Sequence, residues 1–158
     1  VRPHLIVTIP DRPVGRKKTM TPPPVKEYAD MVGITCIQAE TLDEVIDNLV
    51  GYDFFCVFAY SELLKERHLS LPSHGVVNLH PSLLPQYRGA APIMQAILDD
   101  TRDTGITLMK LERGMDSGPI IAQREVRFDS WGKWYLHEHI FATHGATLFI
   151  DEIGRAHV

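Results

Sequence analysis

The sequence predicts an α/β fold of the Rossmann type, in which a mostly parallel sheet has helices on both faces. Short apolar runs of strand length alternate with segments whose apolar residues have helical spacing. Residues 54–59 are apolar throughout, which is typical of a strand covered on both faces. In sheets of this kind ligands bind beyond the carboxyl ends of the strands, so polar residues that follow a strand are candidates for a functional site.

The first half of the chain alternates strands and helices. Three prolines at 22–24 and Gly33 bracket the first helix. Thr41 and Glu44, three residues apart, are predicted to form a capping box at the start of the second helix. The predicted strands are residues 5–9, 34–37, 54–59 and 76–79, and the predicted helices are residues 25–32, 42–50 and 61–69.

The second half has a different pattern. Residues 106–111 and 120–128 alternate more between apolar and polar side chains, which favours outer strands. A final helix is predicted to begin after Asp129 or Ser130 and to run towards Ile150.

Composition indicates a globular protein with one core. The chain has 158 residues, of which 44% are hydrophobic and 23% charged, and a net charge of −4. An acidic chain of this kind binds nucleic acid only through a local basic patch. Cys36 and Cys56 lie in apolar stretches without metal-ligand spacing, so we expect two reduced, buried thiols in a cytoplasmic protein. No stretch has the length of a membrane span or the pattern of a signal peptide.

The segment after the fourth predicted strand carries candidate catalytic groups. Asn78 and His80 are two residues apart, so both side chains point to the same face of a strand. Pro81 favours an extended backbone at His80, and the prolines and glycine that follow predict an irregular loop up to Pro92. An amide and an imidazole are therefore expected side by side at the carboxyl end of a strand.

Asp116 is the third candidate, in a predicted turn bracketed by two glycines and Pro119. A carboxylate beside an imidazole can orient it, and an amide can donate to a developing oxyanion. Asn78, His80 and Asp116 together would suit attack of an amine on a carbonyl carbon, with no Ser or Cys nucleophile. The alternative is a structural His at a strand end and an Asp that forms a turn, and the residues alone leave both open.

Three ordered motifs carry a family resemblance. Residues 78–85 read Asn-Leu-His-Pro-Ser-Leu-Leu-Pro, residues 87–89 read Tyr-Arg-Gly, and residues 116–120 read Asp-Ser-Gly-Pro-Ile. This pattern resembles the signature of the folate-dependent formyltransferases, and the resemblance extends up to about Phe128. In that family the residues that match Asn78, His80 and Asp116 are the catalytic trio.

The resemblance also implies the formyl donor. The family takes its formyl group from 10-formyltetrahydrofolate, a cosubstrate. The loop that contacts the folate corresponds to Ser82, Leu83, Leu84 and Pro85. The implied architecture is the formyltransferase fold, whose first strand and glycine-containing turn would precede residue 1.

Two segments favour the methionyl-tRNA branch of this family. Residues 88–93, Arg-Gly-Ala-Ala-Pro-Ile, resemble that branch closely. Residues 10–26 resemble the loop with which it enters the acceptor end of tRNA, although residues 15–18 are one residue shorter than the usual form. The resemblance implies a monomeric enzyme of translation initiation that formylates the free amino group of initiator methionyl-tRNA.

The charge of the loop supports an RNA contact. The four basic residues Arg12, Arg16, Lys17 and Lys18 outnumber the single acidic residue, Asp11, which leaves a local charge of +3 in a chain of net −4. A basic loop on an acidic protein can contact phosphates. The alternative interpretation is a solvated surface loop without a partner.

Other assignments remain open at this point. The same site could serve a formyltransferase that acts on a sugar nucleotide or on glycinamide ribonucleotide, or the chain could be an inactive fragment. Residues 1–151 are assigned to the catalytic domain, and nothing resembles the small C-terminal β-barrel domain of the tRNA branch. Residues 152–158 can be encoded by DNA that contains a common sequencing adapter, so we expect a non-native tail.

The eight histidines do not predict a metal site. His137 and His139 are two apart in a predicted helix and therefore face different directions. His74 and His80 flank a predicted strand, and the sequence supplies no third ligand near them.

Overall fold

The computed structural model describes residues 2–128 and 134–155. The chain divides into two compact units, Val1–Val50 and Gly51–Val158. Asp129 and Ser130, the predicted caps of the last helix, lie outside the described residues, as do residues 156–158 of the predicted tail. No helix in the described ranges combines the length and the apolar character needed to cross a membrane.

The first unit contains a parallel pair of strands, β1 (Leu5–Thr8) and β4 (Thr35–Gln38), with Leu5 opposite Thr35. Helix α1 (Pro24–Val32) connects them and packs on both strands. It ends at Gly33, whose left-handed backbone (φ 68°) is the predicted termination signal.

A hairpin interrupts this βαβ connection. Strands β2 (Arg12–Val14) and β3 (Thr19–Thr21) pair antiparallel within the segment that the sequence predicts as a loop. The turn between them is closed by the N–H of Lys18, which donates to the carbonyl oxygen of Gly15 at 3.1 Å. Every residue from 11 to 20 is exposed.

The predicted helix at residues 42–50 is a 3-10 helix, Leu42–Leu49, with non-helical backbone angles at Val45. The predicted capping box is wrong, because Thr41 makes no side-chain hydrogen bond to the helix backbone. The carboxylate of Glu44 accepts instead from the N–H of Glu40 at 3.2 Å. The apolar spacing still buries one face of the segment, since side-chain periodicity reports burial and not the type of helix.

The second unit contains a four-stranded sheet in the order β5 (Phe55–Phe58), β6 (Val76–His80), β7 (Asp103–Lys110) and β8 (Ile120–Arg127). Strands β5 and β6 are parallel, whereas β6–β7 and β7–β8 are antiparallel. The predicted α/β class is therefore confirmed, with a sheet of mixed type. The β7–β8 pair is antiparallel because the segment that joins these strands, residues 111–119, is too short for a crossover connection.

Helix α4 (Trp134–Arg155) packs on β7 and β8. Gly145 allows a close approach, since a Cβ atom there would lie 3.6 Å from Leu79 and 3.7 Å from Ile106. Burial of each large apolar side chain contributes about 1.5–3 kcal/mol. The core formed by these elements consists of Val77, Leu79, Ile106, Leu108, Val126, Phe128, Phe141 and Leu148.

Two strands differ from their predicted environments. Strand β7 lies between β6 and β8 and is buried from Thr104 to Met109, so it is not an outer strand. Strand β5 is at the edge of the four-stranded sheet, and Cys56 and Phe58 are exposed. The predictions that β5 is covered on both faces and that Cys56 is buried are therefore wrong. An apolar run does not show how many layers pack against a strand, because that depends on the tertiary structure.

Two helices also differ. Helix α2 covers only Glu66–Leu69, the last part of the predicted helix at 61–69. Helix α3 (Pro92–Leu98) begins at the proline that the sequence suggested as the end of an irregular loop. Proline suits the first turn of a helix, where its missing N–H has no intrahelical partner to lose.

Candidate active site

Strand β6 presents the first two candidate residues at its carboxyl end. Asn78 lies opposite Met109 of β7 and is half-buried, whereas His80 lies opposite Thr107 and is 4% exposed. Both side chains are on the same face of the sheet, since they are two residues apart in a regular strand.

The imidazole of His80 contacts two other segments. Its Nε2 lies 2.8 Å from the carbonyl oxygen of Tyr87, within hydrogen-bonding distance. Its Nδ1 lies 3.6 Å from Oδ2 of Asp116. The predicted proximity of the imidazole and the carboxylate is thus present in the structure, at a distance longer than a direct hydrogen bond.

Asp116 belongs to the turn between β7 and β8. Its side chain is 13% exposed, and its Oδ2 accepts a hydrogen bond from the N–H of Gly89 at 2.8 Å. Its backbone is left-handed (φ 46°). Gly118 makes this turn possible, since a Cβ atom there would lie 2.1 Å from the carbonyl oxygen of Lys110.

A cavity of about 130 Å³ adjoins these groups and is lined by both Asn78 and Asp116. Its other lining residues lie in or directly after β5, in α2 or in the β7–β8 turn: Val57, Tyr60, Glu62, Leu63, Leu64, Leu69, Leu111, Glu112, Gly114 and Met115. Sequence reasoning missed this set. The available signal was the position of residues 60–64 directly after a parallel strand, where ligand-binding residues occur.

The predicted folate-contacting loop lies apart from the cavity lining. Ser82 is fully buried, and its hydroxyl donates to the carbonyl oxygen of Gln86 at 2.6 Å. Leu84 is also buried, whereas Leu83 is half-buried and Pro85 is exposed. None of Ser82, Leu83, Leu84 and Pro85 lines the cavity beside Asn78, so their contact with folate stays a prediction.

Thr107 anchors this loop, and the sequence did not reveal its role. Its hydroxyl donates to the carbonyl oxygen of Ser82 at 2.7 Å and accepts from the N–H of Leu84 at 3.1 Å. Gln123 of β8 donates to the same hydroxyl and to the carbonyl oxygen of Leu84. A lone Thr in the apolar run of β7 carries no local signal for this network, because all its partners come from distant segments.

The basic residues predicted to contact tRNA lie in the first unit, on the β2–β3 hairpin. Arg12 forms an ion pair with Glu40 at 2.5 Å. Arg16, Lys17 and Lys18 are exposed at or beside the turn, and their side chains form no ion pair with any described residue.

Potential metal ligands are dispersed within the described part of the chain. No group of three or more His, Cys, Asp and Glu residues is placed to hold a metal ion there. The side chains of His137 and His139 are not among those that the structure describes.

Comparison with known proteins shows the family to which the chain belongs. The family model described as "Formyl transferase" matches residues 1–132. The chain is 44% identical over 128 residues to the methionyl-tRNA formyltransferase of Thermotoga neapolitana, covering 78% of this chain and 41% of the relative. It is 44% identical over 155 residues to that of Chloroflexus aggregans, covering 95% and 50%. The chain thus spans half or less of the length of these curated relatives.

Solved structures support the same fold. Phosphoribosylglycinamide formyltransferase from Streptococcus pneumoniae superposes with a TM-score of 0.74 at 20% identity, covering 98% of both chains. Glycinamide ribonucleotide transformylase 1 from Geobacillus kaustophilus has a TM-score of 0.67 at 27% identity, covering 89% of this chain and 77% of that chain. A formyltransferase from Anoxybacillus kamchatkensis, solved with a UDP-linked formamido sugar and tetrahydrofolate, has a TM-score of 0.65 at 23% identity, covering 93% and 73%.

The predicted Rossmann-like formyltransferase fold is confirmed by these likenesses, and the family follows from the length of the matched segment. This chain belongs to the formyl transferase family.

Proposed function

We propose that this chain acts in the cytoplasm and transfers the formyl group of 10-formyltetrahydrofolate to the free amino group of initiator methionyl-tRNA. The observation that carries the proposal is the proximity of the buried His80 and the half-buried Asp116, with Asn78 and Asp116 lining one cavity. An amide donor, an imidazole and a carboxylate beside a concave surface are the groups that formyl transfer to an amine requires.

The cavity has the chemistry expected for the donor. Leu63, Leu64, Leu69 and Met115 provide apolar walls for the flat pteridine ring of a folate. Glu62 and other polar groups at the rim can accept hydrogen bonds from the amino and ring N–H groups of that ring. Leu63 and Met115 are 72% and 62% exposed, and a bound ring would cover them. The cavity is therefore the proposed site of the pteridine end of formyl-folate.

The first chemical step is attack of the amine on the formyl carbon. A carbon–nitrogen bond forms while the carbonyl oxygen gains negative charge. The side-chain amide of Asn78 would donate a hydrogen bond to that oxygen, and such donors stabilise the transition state by about 3–4 kcal/mol. Since the amide is held on a strand, little reorganisation accompanies the reaction.

The second step breaks the bond between the formyl carbon and N10 of the folate. The amine must lose a proton, and N10 must gain one. The products are then formyl-methionyl-tRNA, with a neutral amide nitrogen, and tetrahydrofolate, with a neutral N10. His80 takes the proton, and the carboxylate of Asp116 stabilises the imidazolium that results. The same imidazolium can then return the proton to N10.

The acceptor is assigned from two observations. The curated relatives at 42–45% identity are methionyl-tRNA formyltransferases, whereas the structural neighbours that act on other acceptors are at 16–27% identity. The exposed cations Arg16, Lys17 and Lys18 would supply contacts with the phosphates of tRNA. Arg12 would contribute less, because Glu40 neutralises part of its charge.

The test is formyl transfer from 10-formyltetrahydrofolate to methionyl-tRNA, using the 158-residue chain. Glycinamide ribonucleotide and a UDP-linked amino sugar serve as competing acceptors. Transfer to methionyl-tRNA that is lost in Asn78→Ala and kept in Asn48→Ala, an exposed asparagine of the first unit, supports the proposal. Transfer to one of the small acceptors alone would contradict the assigned acceptor while leaving the formyl chemistry in place.

A further inference from the structure

A three-residue segment, residues 87–89, contacts both members of the catalytic pair through its backbone. The carbonyl oxygen of Tyr87 lies 2.8 Å from Nε2 of His80, and the N–H of Gly89 donates to Oδ2 of Asp116 at 2.8 Å. The two contacts have opposite polarity. The segment presents a hydrogen-bond acceptor to the imidazole and a hydrogen-bond donor to the carboxylate.

The contact with Tyr87 determines which nitrogen of His80 carries the proton. A carbonyl oxygen can only accept a hydrogen bond, so Nε2 must be the donor. A neutral imidazole has one N–H, which leaves Nδ1 with a lone pair. Nδ1 and Oδ2 of Asp116 are then both acceptors, and their separation of 3.6 Å is too long for a hydrogen bond between them.

We infer that residues 87–89 form a backbone clamp that holds His80 in its Nε2–H tautomer, so that Nδ1 is the atom that receives the proton of the attacking amine. The clamp also fixes Oδ2 of Asp116 beside Nδ1, where the new N–H can donate to it. Tyr87 is then a positioning residue, since it acts through His80. This inference rests on the proposed function for the role of the proton, but the tautomer itself does not depend on it.

The clamp is held by a contact outside the active site. The hydroxyl of Tyr87 lies 2.7 Å from the hydroxyl of Thr101, which follows α3. Tyr87 has a left-handed backbone (φ 56°), a conformation that tertiary contacts must maintain in a residue with a Cβ atom. Gly89 is also at positive φ (108°), which suits glycine. The Tyr87–Thr101 pair therefore maintains the backbone geometry that presents the carbonyl oxygen to His80.

The tautomer can be measured directly by ¹⁵N NMR of the imidazole in the substrate-free protein, at a pH where His80 is neutral. The His80 signals are assigned by their absence in His80→Gln. Protonation at Nε2 is the expected result. A predominant Nδ1–H form, or an equal mixture of the two tautomers, would overturn the inference even in a protein that formylates methionyl-tRNA.

The positioning role is tested with variants that remove only the Tyr87–Thr101 contact. Tyr87→Phe and Thr101→Val are each expected to give a mixture of tautomers and to lower kcat about five- to tenfold with little change in KM, the effect of about one hydrogen bond. Thr101→Ser keeps the hydroxyl and should restore both readouts. Tyr52→Phe is the matched control, since its ring lies 6.5 Å from that of Phe55, which pairs with Val76 at the opposite end of β6 from His80.

The double variant separates the clamp from a general loss of packing. Tyr87→Phe with Thr101→Val should be no worse than either single variant, because both remove one shared contact. A single, unchanged Nε2–H tautomer and a wild-type kcat in Tyr87→Phe and in Thr101→Val would refute the role of this pair. Loss of methionyl-tRNA as substrate would leave the NMR result intact, so failure of the proposed function is distinguishable.

Discussion

The proposed catalytic corner of the second unit, formed by Asn78, His80, Asp116 and residues 87–89, differs from the basic hairpin of the first unit in how its polar groups are held. His80 is buried, Asp116 is half-buried, and both have defined backbone partners in residues 87–89. Lys17 and Lys18 are exposed, and their ammonium groups form no ion pair within the described residues. One region has its polar groups satisfied and oriented, and the other has charges left in solvent.

The difference follows from the physics of the two tasks. Stabilising a developing charge requires donors that are already in place in a medium of low dielectric constant, since reorganisation during the reaction would cost free energy. Attracting a polyanion requires charges that remain exposed, because their field acts through solvent and is screened by salt within about 10 Å at 0.1 M. Substitutions in the two regions should therefore differ in size, in salt dependence and in effect on folding.

The largest effect is expected from the catalytic groups. Asn78→Ala, His80→Ala and Asp116→Ala should each reduce kcat by about 10²–10³-fold, because each removes a group that we propose acts in the transition state. The measurement is steady-state formyl transfer, with circular dichroism to verify folding. His74→Ala, at an exposed histidine of the same unit, is the control and should retain activity. A fully active Asn78→Ala would refute the proposed donor to the oxyanion.

The second prediction concerns Thr107, which holds the loop that follows His80. Thr107→Val is nearly isosteric, but it removes the hydrogen bonds to Ser82 and Leu84 and leaves a buried N–H without a partner. We expect the free energy of unfolding to fall by about 2–3 kcal/mol and the Tm by about 5–10 °C. Thr147→Val removes one exposed contact and should change the Tm by much less. Equal Tm values for the two variants would show that the loop is not held by Thr107.

The smallest effect on catalysis, and the largest on salt dependence, is expected at the hairpin. Lys17→Ala with Lys18→Ala should weaken tRNA binding and lower the slope of log K against log salt by about 1.4–1.8, the value for two lost phosphate contacts. Folate binding and folding should not change. Arg12→Ala is the matched comparison, and its slope should change less because Glu40 already pairs with that charge. An unaltered slope in the double variant would argue against a phosphate contact.

Much of the catalytic corner was predictable because its signals are local. Alternation in a strand places Asn78 and His80 on one face, and the glycines and proline around Asp116 require a turn. The cavity wall formed by Leu63, Leu64 and Leu69 was not predictable in the same way, since these residues resemble an ordinary apolar stretch until the fold brings them beside Asp116.

The pattern of apolar residues gave wrong predictions for two features that depend on tertiary packing: the type of one helix and the burial of one strand. The spacing of residues 42–50 predicted an α-helix, but the backbone is 3-10, because apolar periodicity reports which face is buried and not the hydrogen-bond pattern. The apolar run at residues 54–59 predicted full burial, yet Cys56 and Phe58 are exposed on the edge strand β5. In the first case the same residues suit either type of helix, and in the second the same residues suit either a central or an edge strand.

The sequence by itself determined the chemical groups of this protein and their local geometry: the family signature, the paired side chains of β6, the termination of α1 at Gly33 and the charge of the hairpin. The tertiary structure alone decided the separation of 3.6 Å between His80 and Asp116 and the contacts of residues 87–89 with both. The physical reason is that residue type and spacing act over a few bonds. Distances between β6, its following loop and the β7–β8 turn depend instead on strand register and packing over the whole unit.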